Sequence, residues 1–394
     1  MPPDYRRTRF ACYLGYIVQA IVNNFAPLLF VHFSDEYGIP LTKITLLVTL
    51  NFGVQLCVDM ASAVLVDRIG YRASSYIAHG FSAAGLLMLA FLPDVLPDPF
   101  IGILISVVTY AIGGGLLEVV ISPIIEACPA ENKEKQMSIL HSFYCWGHVG
   151  VVLVSTGFFT LFGMGSRRVL SVVFALIAVA NMILFGVSPL CTLNDGEEKG
   201  MSIKELFSTK TFYVFLVMML AAGASEQAVS QWASSFAERG LGVSKAVGDL
   251  AGPMAFAFLM GISRLIYGRF GHRLDMKKFM MISTLLCIAS YCCIIFVPNP
   301  VVGLLGCAAS GFAVGIMWPG TYSMASAALP GGGTAMFALL ALAGDIGCTG
   351  GPTLAGFVSG AAGDDLRAGI LAALVFPIMM ALCLLVMKRK KKAI

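Results

Sequence analysis

Five ionisable side chains, Asp59, Glu118, Glu226, Arg264 and Asp345, lie inside long apolar runs, with His79, His141 and His148 in similar surroundings. A charged group at the centre of a bilayer costs about 2.5–3.5 kcal/mol on insertion scales, so each must meet a counter-charge, water or a ligand. Glu118 is flanked by Gly113–Gly115 and by Pro123. A carboxyl there, exposed in turn to two sides of a membrane, can take a proton from one side and deliver it to the other. The competing reading is a structural carboxyl paired with Arg264 or another donor. Arg264 stays charged at any relevant pH and needs an acid, carbonyl dipoles or an anionic ligand. It reads as a structural or gating residue.

A second group suits recognition of a polyhydroxylated solute. Glu226, Gln227, Ser230, Gln231 and Trp232 fall within two helical turns. Carboxylates and amides accept from and donate to hydroxyls, while an indole covers the apolar face of a sugar ring. Trp318 and Tyr322 are four apart, on one helical face, with Pro319 and Gly320 marking a weakened helix between them. His141 and His148 are seven apart on one face. The first is a candidate for ligand contact, and the second reads as a packing residue, as does His79. No third ligand stands at a diagnostic spacing, so no metal site is expected. The glycine-rich pieces precede no Lys-Ser/Thr ending, and no nucleotide or other cofactor is expected. No nucleophile–base grouping supports an enzyme.

The elements that carry these residues follow from composition. The chain has 394 residues, 58% hydrophobic and 12% charged, against about 25% charged in soluble domains. Its mean hydropathy is +0.85. The expected fold is an all-α membrane protein, because a hydrocarbon core needs about 20 helical residues per crossing and the alternation of a barrel is missing. Twelve stretches qualify, near 10–33, 42–66, 73–92, 99–127, 136–162, 168–188, 211–236, 246–268, 278–297, 300–328, 334–361 and 366–387. Gln19, Asn23 and Asn24 interrupt the first, which argues against a cleaved signal peptide. With the N-terminus inside, nineteen of the 26 Lys and Arg fall on the cytoplasmic side and six outside. Both termini are therefore expected to be cytoplasmic. The net charge is +4, and the one dense basic run is Lys388–Lys392, so no nucleic-acid partner is expected. The eleven cysteines lie almost all in apolar stretches and read as small hydrophobes.

The chain also repeats itself. Val66-Asp-Arg-Ile-Gly-Tyr-Arg72 follows the second stretch and Tyr267-Gly-Arg-Phe-Gly-His-Arg273 the eighth. Gly147-His-Val-Gly150 matches Gly344-Asp-Ile-Gly347. The one long polar linker, 189–210, divides an N-terminal six-helix bundle, 1–188, from a C-terminal bundle, 211–394, with a short basic tail. Two pseudo-symmetric six-helix bundles and this loop resemble the major facilitator superfamily of transporters. Its signature loop, Gly-x-x-x-Asp-Arg-x-Gly-Arg/Lys-Arg/Lys, is met by Asp67, Arg68, Gly70 and Arg72, with Ala63 in the leading glycine's place. The resemblance implies a midplane site between rocking halves. By position in the sequence, Asp59, Asp67, Arg68, Arg72, Arg264 and Asp345 read as a gating or charge network. Asp59 would join the signature loop, and Asp345 would be a second ion-coupling group.

Three spans resemble the fucose–proton symporter family more closely. They hold Leu117-Glu118 with Pro123, Glu226 with Trp232 six residues later, and Trp318-Pro-Gly-Thr-Tyr-Ser. That family has an acid shortly after an Asn-Asn pair, whereas Asn23-Asn24 is followed here by Ala26 and Pro27. This resemblance also puts His141 at a substrate-contact position. It implies a secondary active transporter, monomeric, in a bacterial plasma membrane, moving a monosaccharide by proton-coupled symport. Glu118 would carry the proton. Asn23, Asn24, His141, Glu226, Gln227, Gln231, Trp232, Trp318 and Tyr322 would meet the solute. Sodium in place of the proton stays open. The alternatives are an exporter of amphipathic drugs or organic anions and a non-transporting sensor with a transporter fold.

Overall fold

The computed structural model describes residues 5–129, 133–190, 201–270, 275–329 and 331–387. Among them there are twelve helices long and apolar enough to cross a membrane, and no strand. In chain order they are α1 (Arg6–Tyr37), α2 (Lys43–Ser62), α3 (Tyr71–Val95), α4 (Pro99–Ile125), α5 (Ile139–Phe162), α6 (Met164–Val187), α7 (Lys210–Glu238), α8 (Lys245–Phe270), α9 (Met276–Phe296), α10 (Pro300–Ala328), α11 (Ala335–Ala361) and α12 (Leu366–Val386). The helix of α2 continues to Ile69. Helix is the form that satisfies every backbone N–H and C=O within one crossing segment. Large apolar side chains such as Leu161, Leu176, Ile282 and Leu385 point outward, each more than half exposed, as a surface in contact with lipid requires.

Starts and breaks follow local chemistry. Asp98 and Asn299 cap α4 and α10 through their side chains, each followed directly by proline, whose missing N–H costs nothing at that position. α1 tightens to a 3-10 turn at Ala26–Leu29, where Pro27 stands. α7 stops as a regular helix at Ser230 and α8 passes through a π-turn at Leu250–Met254 containing Pro253. In α10 the regular helix ends at Val314 and resumes at Met317. The weak point expected at Pro319-Gly320 thus lies one turn earlier. Pro319 cannot donate to the carbonyl four residues back, so the Gly315 oxygen is left for another partner.

The two sets of six helices meet along two seams, α2 against α11 and α5 against α8. Small residues permit the approach. A Cβ at Gly356 of α11 would lie 2.7 Å from both Thr45 and Trp232, and one at Gly261 of α8 would lie 3.2 Å from Cys145. At the end away from the linker the seams are bridged by Thr49 Oγ1 and Thr353 Oγ1 at 2.7 Å and by Thr156 Oγ1 and Asp249 Oδ2 at 3.4 Å. Phe30 and Trp232 meet there too, with ring centroids 6.4 Å apart. At the same end Asp94 accepts from Tyr37, Arg167 and Arg168, tying α1, α3 and α6 together.

At the other end Met201 N–H donates to the Gly331 carbonyl at 2.8 Å. A short helix, Ile203–Ser208, follows, closed by a capping box of Ser202 and Glu205. The polar run Asn194–Lys199, Arg273 and the basic tail lie outside the described residues.

Candidate functional site

Between the two sets of helices lies a narrow cavity of about 60 Å³. Its lining includes Glu118, Asn23, His141, Glu226, Gln227, Trp318, Arg264 and Asp345. All eight stand out in the sequence, and they come from seven different helices. Three carboxyls and one guanidinium therefore face a single space.

Glu118 is half-buried against this cavity and accepts from Gln19 Nε2 at 2.6 Å. It does not pair with Arg264. The guanidinium is instead held from three directions. Its Nε donates to the Gly315 carbonyl at 3.1 Å, the oxygen released by Pro319. Its Nη1 donates to the His141 carbonyl at 3.1 Å, and its Nη2 meets Glu226 Oε2 at 3.4 Å. A buried acid thus has a buried base beside it, each less than a tenth exposed. Gln227 Nε2 reaches Glu226 Oε1 at 3.4 Å, and Gln231 Nε2 donates to Gln227 Oε1 at 3.0 Å. The acid, the arginine and the amides form one chain of donors and acceptors.

Several expected contacts lie elsewhere. Asn24 donates to the Ala20 carbonyl and to Tyr144 and does not line the cavity. Gln231 lines a second, smaller space with Asn23 and Asn51. Trp232 is fully buried, its Nε1 donating to the Pro352 carbonyl at 3.0 Å. Its indole packs in the seam, so it offers no ring face to a solute in the cavity. Tyr322 lies behind Trp318, with centroids 6.3 Å apart, and its hydroxyl donates to the Phe337 carbonyl.

One part of the expected gating network also differs. Arg72 donates to the carbonyls of Phe185, Gly186 and Ser188, fastening α3 to the end of α6 within one half. Asp59 is 8% exposed on α2, and neither of its carboxyl oxygens meets a hydrogen-bond partner among the described residues. The side chains of Asp67 and Arg68 lie outside the described residues. His148 is buried away from the cavity, and His79 is held by the Ser75 carbonyl and Asn181.

Sequence reasoning missed Tyr16, Gln19, Gln55 and Tyr144, which line the same cavity. Tyr16 hydroxyl meets Ser122 Oγ at 2.8 Å, and its ring sits edge-on to His141 at 5.1 Å. Gln55 Nε2 donates to Asn23 Oδ1 at 2.8 Å. A signal was available: Gln19 and Asn23, and likewise Asn51 and Gln55, are amides four residues apart in apolar runs, which puts each pair on one helical face. Among the described residues, no group of three or more His, Cys, Asp or Glu converges as metal ligands.

Comparison with known proteins fits this geometry. The family model described as Major Facilitator Superfamily matches residues 12–347 and, again, 253–393. No curated protein matches the chain. Among solved structures, the chain resembles a variant of the fucose–proton symporter FucP of E. coli, at 16% identity and TM-score 0.69, over 96% of this chain and 98% of that one. It also resembles the proton–xylose symporter XylE bound to 6-bromo-6-deoxy-D-glucose, at 12% identity and TM-score 0.79, over 96% and 94%. A D-xylose–proton symporter matches at 13% and 0.76, over 96% of each chain. At such identities the likeness is one of fold.

Proposed function

Since the chain belongs to the Major Facilitator Superfamily, and is therefore a multi-pass membrane transporter, we propose that it moves a monosaccharide together with a proton by alternating access. The observation that carries this reading is that Glu118 shares one cavity with Asn23, His141, Gln227 and Trp318. The group able to carry a proton thus sits among groups able to hold a polyhydroxylated solute. Amides and carboxylates match hydroxyls that both donate and accept, and the half-buried Trp318 offers a ring to the apolar face of a pyranose. The solved structures of like fold named as sugar–proton symporters support the same substrate class.

In this reading the halves are 1–188 and 211–394, and they rock about the cavity. Lys and Arg placement supports cytoplasmic termini. Glu118 takes a proton while the cavity opens to one side and releases it when the cavity opens to the other, with Gln19 as its neutral partner. The organic-anion reading would recruit Arg264, whose Nε, Nη1 and Nη2 are all engaged by protein acceptors. A forgiving methionine pocket is also unsupported, because no methionine among the described residues lines the cavity.

The test is transport in proteoliposomes with a panel of monosaccharides under an imposed pH gradient. Glu118→Gln is expected to lose gradient-driven accumulation and keep sugar exchange. Accumulation by that variant at the parent's level would sink the coupling assignment, and accumulation driven by a sodium gradient alone would replace the proton.

A further inference from the structure

Gln19 of α1 is 3% exposed and lines the central cavity beside Glu118 of α4. Its Nε2 donates to Glu118 Oε2 at 2.6 Å, while its Oε1 is buried and meets no hydrogen-bond partner among the described residues. One end of the amide is held and the other is left over. A buried acceptor without a donor is costly, so the left-over oxygen points to a ligand that brings one. The ionisation of Glu118 decides which end is left. A carboxylate has no hydrogen to give, so the amide must turn an N–H toward it. Once the acid takes a proton from water, its new O–H is a donor. The amide oxygen then accepts it, and what is left for the cavity is an N–H.

Other charged or titratable groups surround this pair. Arg264 of α8 and Glu226 of α7 are engaged with each other, while Asp345 of α11 and His141 and Tyr144 of α5 border the same space. Tyr16 of α1 meets Ser122, and His79 of α3 is held by Ser75 and Asn181. α2 packs on α4 where Gln55 and Val58 face Gly115, and the next residue along α2 is the buried Asp59. None of these is hydrogen-bonded to the Gln19 oxygen.

We propose that Gln19 is a solute-contact residue whose offer is set by the proton on Glu118. It presents an acceptor oxygen when the acid is ionised and an N–H donor when the acid is protonated. The inference rests on the proton-coupled sugar reading and gives the proton a way to alter recognition. A solute hydroxyl satisfies either form, because it both donates and accepts. A fluorine in its place can only accept, so it suits the protonated form alone.

Two measurements on the purified protein in lipid vesicles test this. The first is the infrared difference between mildly alkaline and mildly acidic pH, without sugar. The parent is expected to gain a protonated-carboxyl band that Glu118→Gln lacks. With it should come a shift of a glutamine side-chain carbonyl band that is absent from both Gln19→Met and Glu118→Gln. The second compares the panel monosaccharide that binds the parent most tightly with its monodeoxyfluoro analogues, by isothermal titration. At one ring position, the affinity lost on fluorination is expected to be about three- to tenfold greater at alkaline than at acidic pH, the worth of one hydrogen bond. Gln19→Met and Glu118→Gln should each remove that difference. A Glu118 carboxyl band without the Gln19 shift overturns the inference and leaves the coupling assignment standing, whereas loss of the carboxyl band removes both. A fluorination penalty equal at the two pH values at every ring position overturns the solute contact.

Discussion

Arg264 of α8 donates through Nη1 to the main-chain carbonyl of His141 on α5, at 3.1 Å, from one half of the molecule to the other. The same guanidinium meets Glu226 at 3.4 Å. The charge state of the cavity is thereby tied to the α5–α8 seam. A solute that draws Glu226 toward itself alters the partner of the residue that bridges the halves.

Removing one member of this pair should cost far more than removing both. Arg264→Gln leaves Glu226 buried without its counter-charge, a loss of about 3–5 kcal/mol in comparable buried pairs. Thermal unfolding in detergent should show a clear fall in Tm for Arg264→Gln and a partial return for the Arg264→Gln/Glu226→Gln double variant. Equal stability of the single and double variants would dismiss the pair as a structural element.

The two tryptophans near the site should separate sharply. Trp318 lines the cavity, while Trp232 is spent on the Pro352 carbonyl and the seam. Trp318→Ala is expected to weaken sugar binding at least about tenfold, in keeping with the weight of a buried aromatic anchor. Trp232→Phe should leave affinity nearly unchanged and lower thermal stability by about 0.5–1.5 kcal/mol, the net worth of one hydrogen bond. Isothermal titration with the transported sugar reads the first effect and detergent melting the second.

Gly356 sets how closely α2 and α11 approach away from the linker. A leucine there would meet Thr45 and Trp232 at once, since even its Cβ would be only 2.7 Å away from each. Overpacking of this kind costs about 1–3 kcal/mol, paid here in the conformation that closes this end. Gly356→Leu is therefore expected to bind sugar but turn over slowly, with thiol labelling from the end opposite the linker increased.

The short helix of the linker should respond to acid. Hydrogen bonds from Ser202 to the Glu205 carboxylate hold its pKa below the usual carboxylate value. A carboxyl lowered in the folded state adds stability above its unfolded pKa and loses it as pH falls through the folded one. Exchange protection of residues 201–209 should drop on acidification, and Glu205→Ala should lack that drop by starting unprotected.

Much of this architecture could be read along the chain. Each crossing is a local matter of about twenty apolar residues in sequence, and the repeat places matching loops and glycines in both halves. The acids of the cavity, with Asn23 and Gln227, are conspicuous for the same reason, as polar groups where polar groups are costly, whereas Gln19 and Gln55 are not singled out. Which of them meet was decided by the rotation and tilt of helices packed in three dimensions. Arg264 could have neutralised Glu118 as readily as Glu226 by type alone, and Trp232 could have faced a solute as readily as a seam. The carbonyl freed by Pro319 and the close approach at Gly356 both join residues far apart in sequence. Composition ranks such pairings equally, and packing makes one of them the lowest in energy.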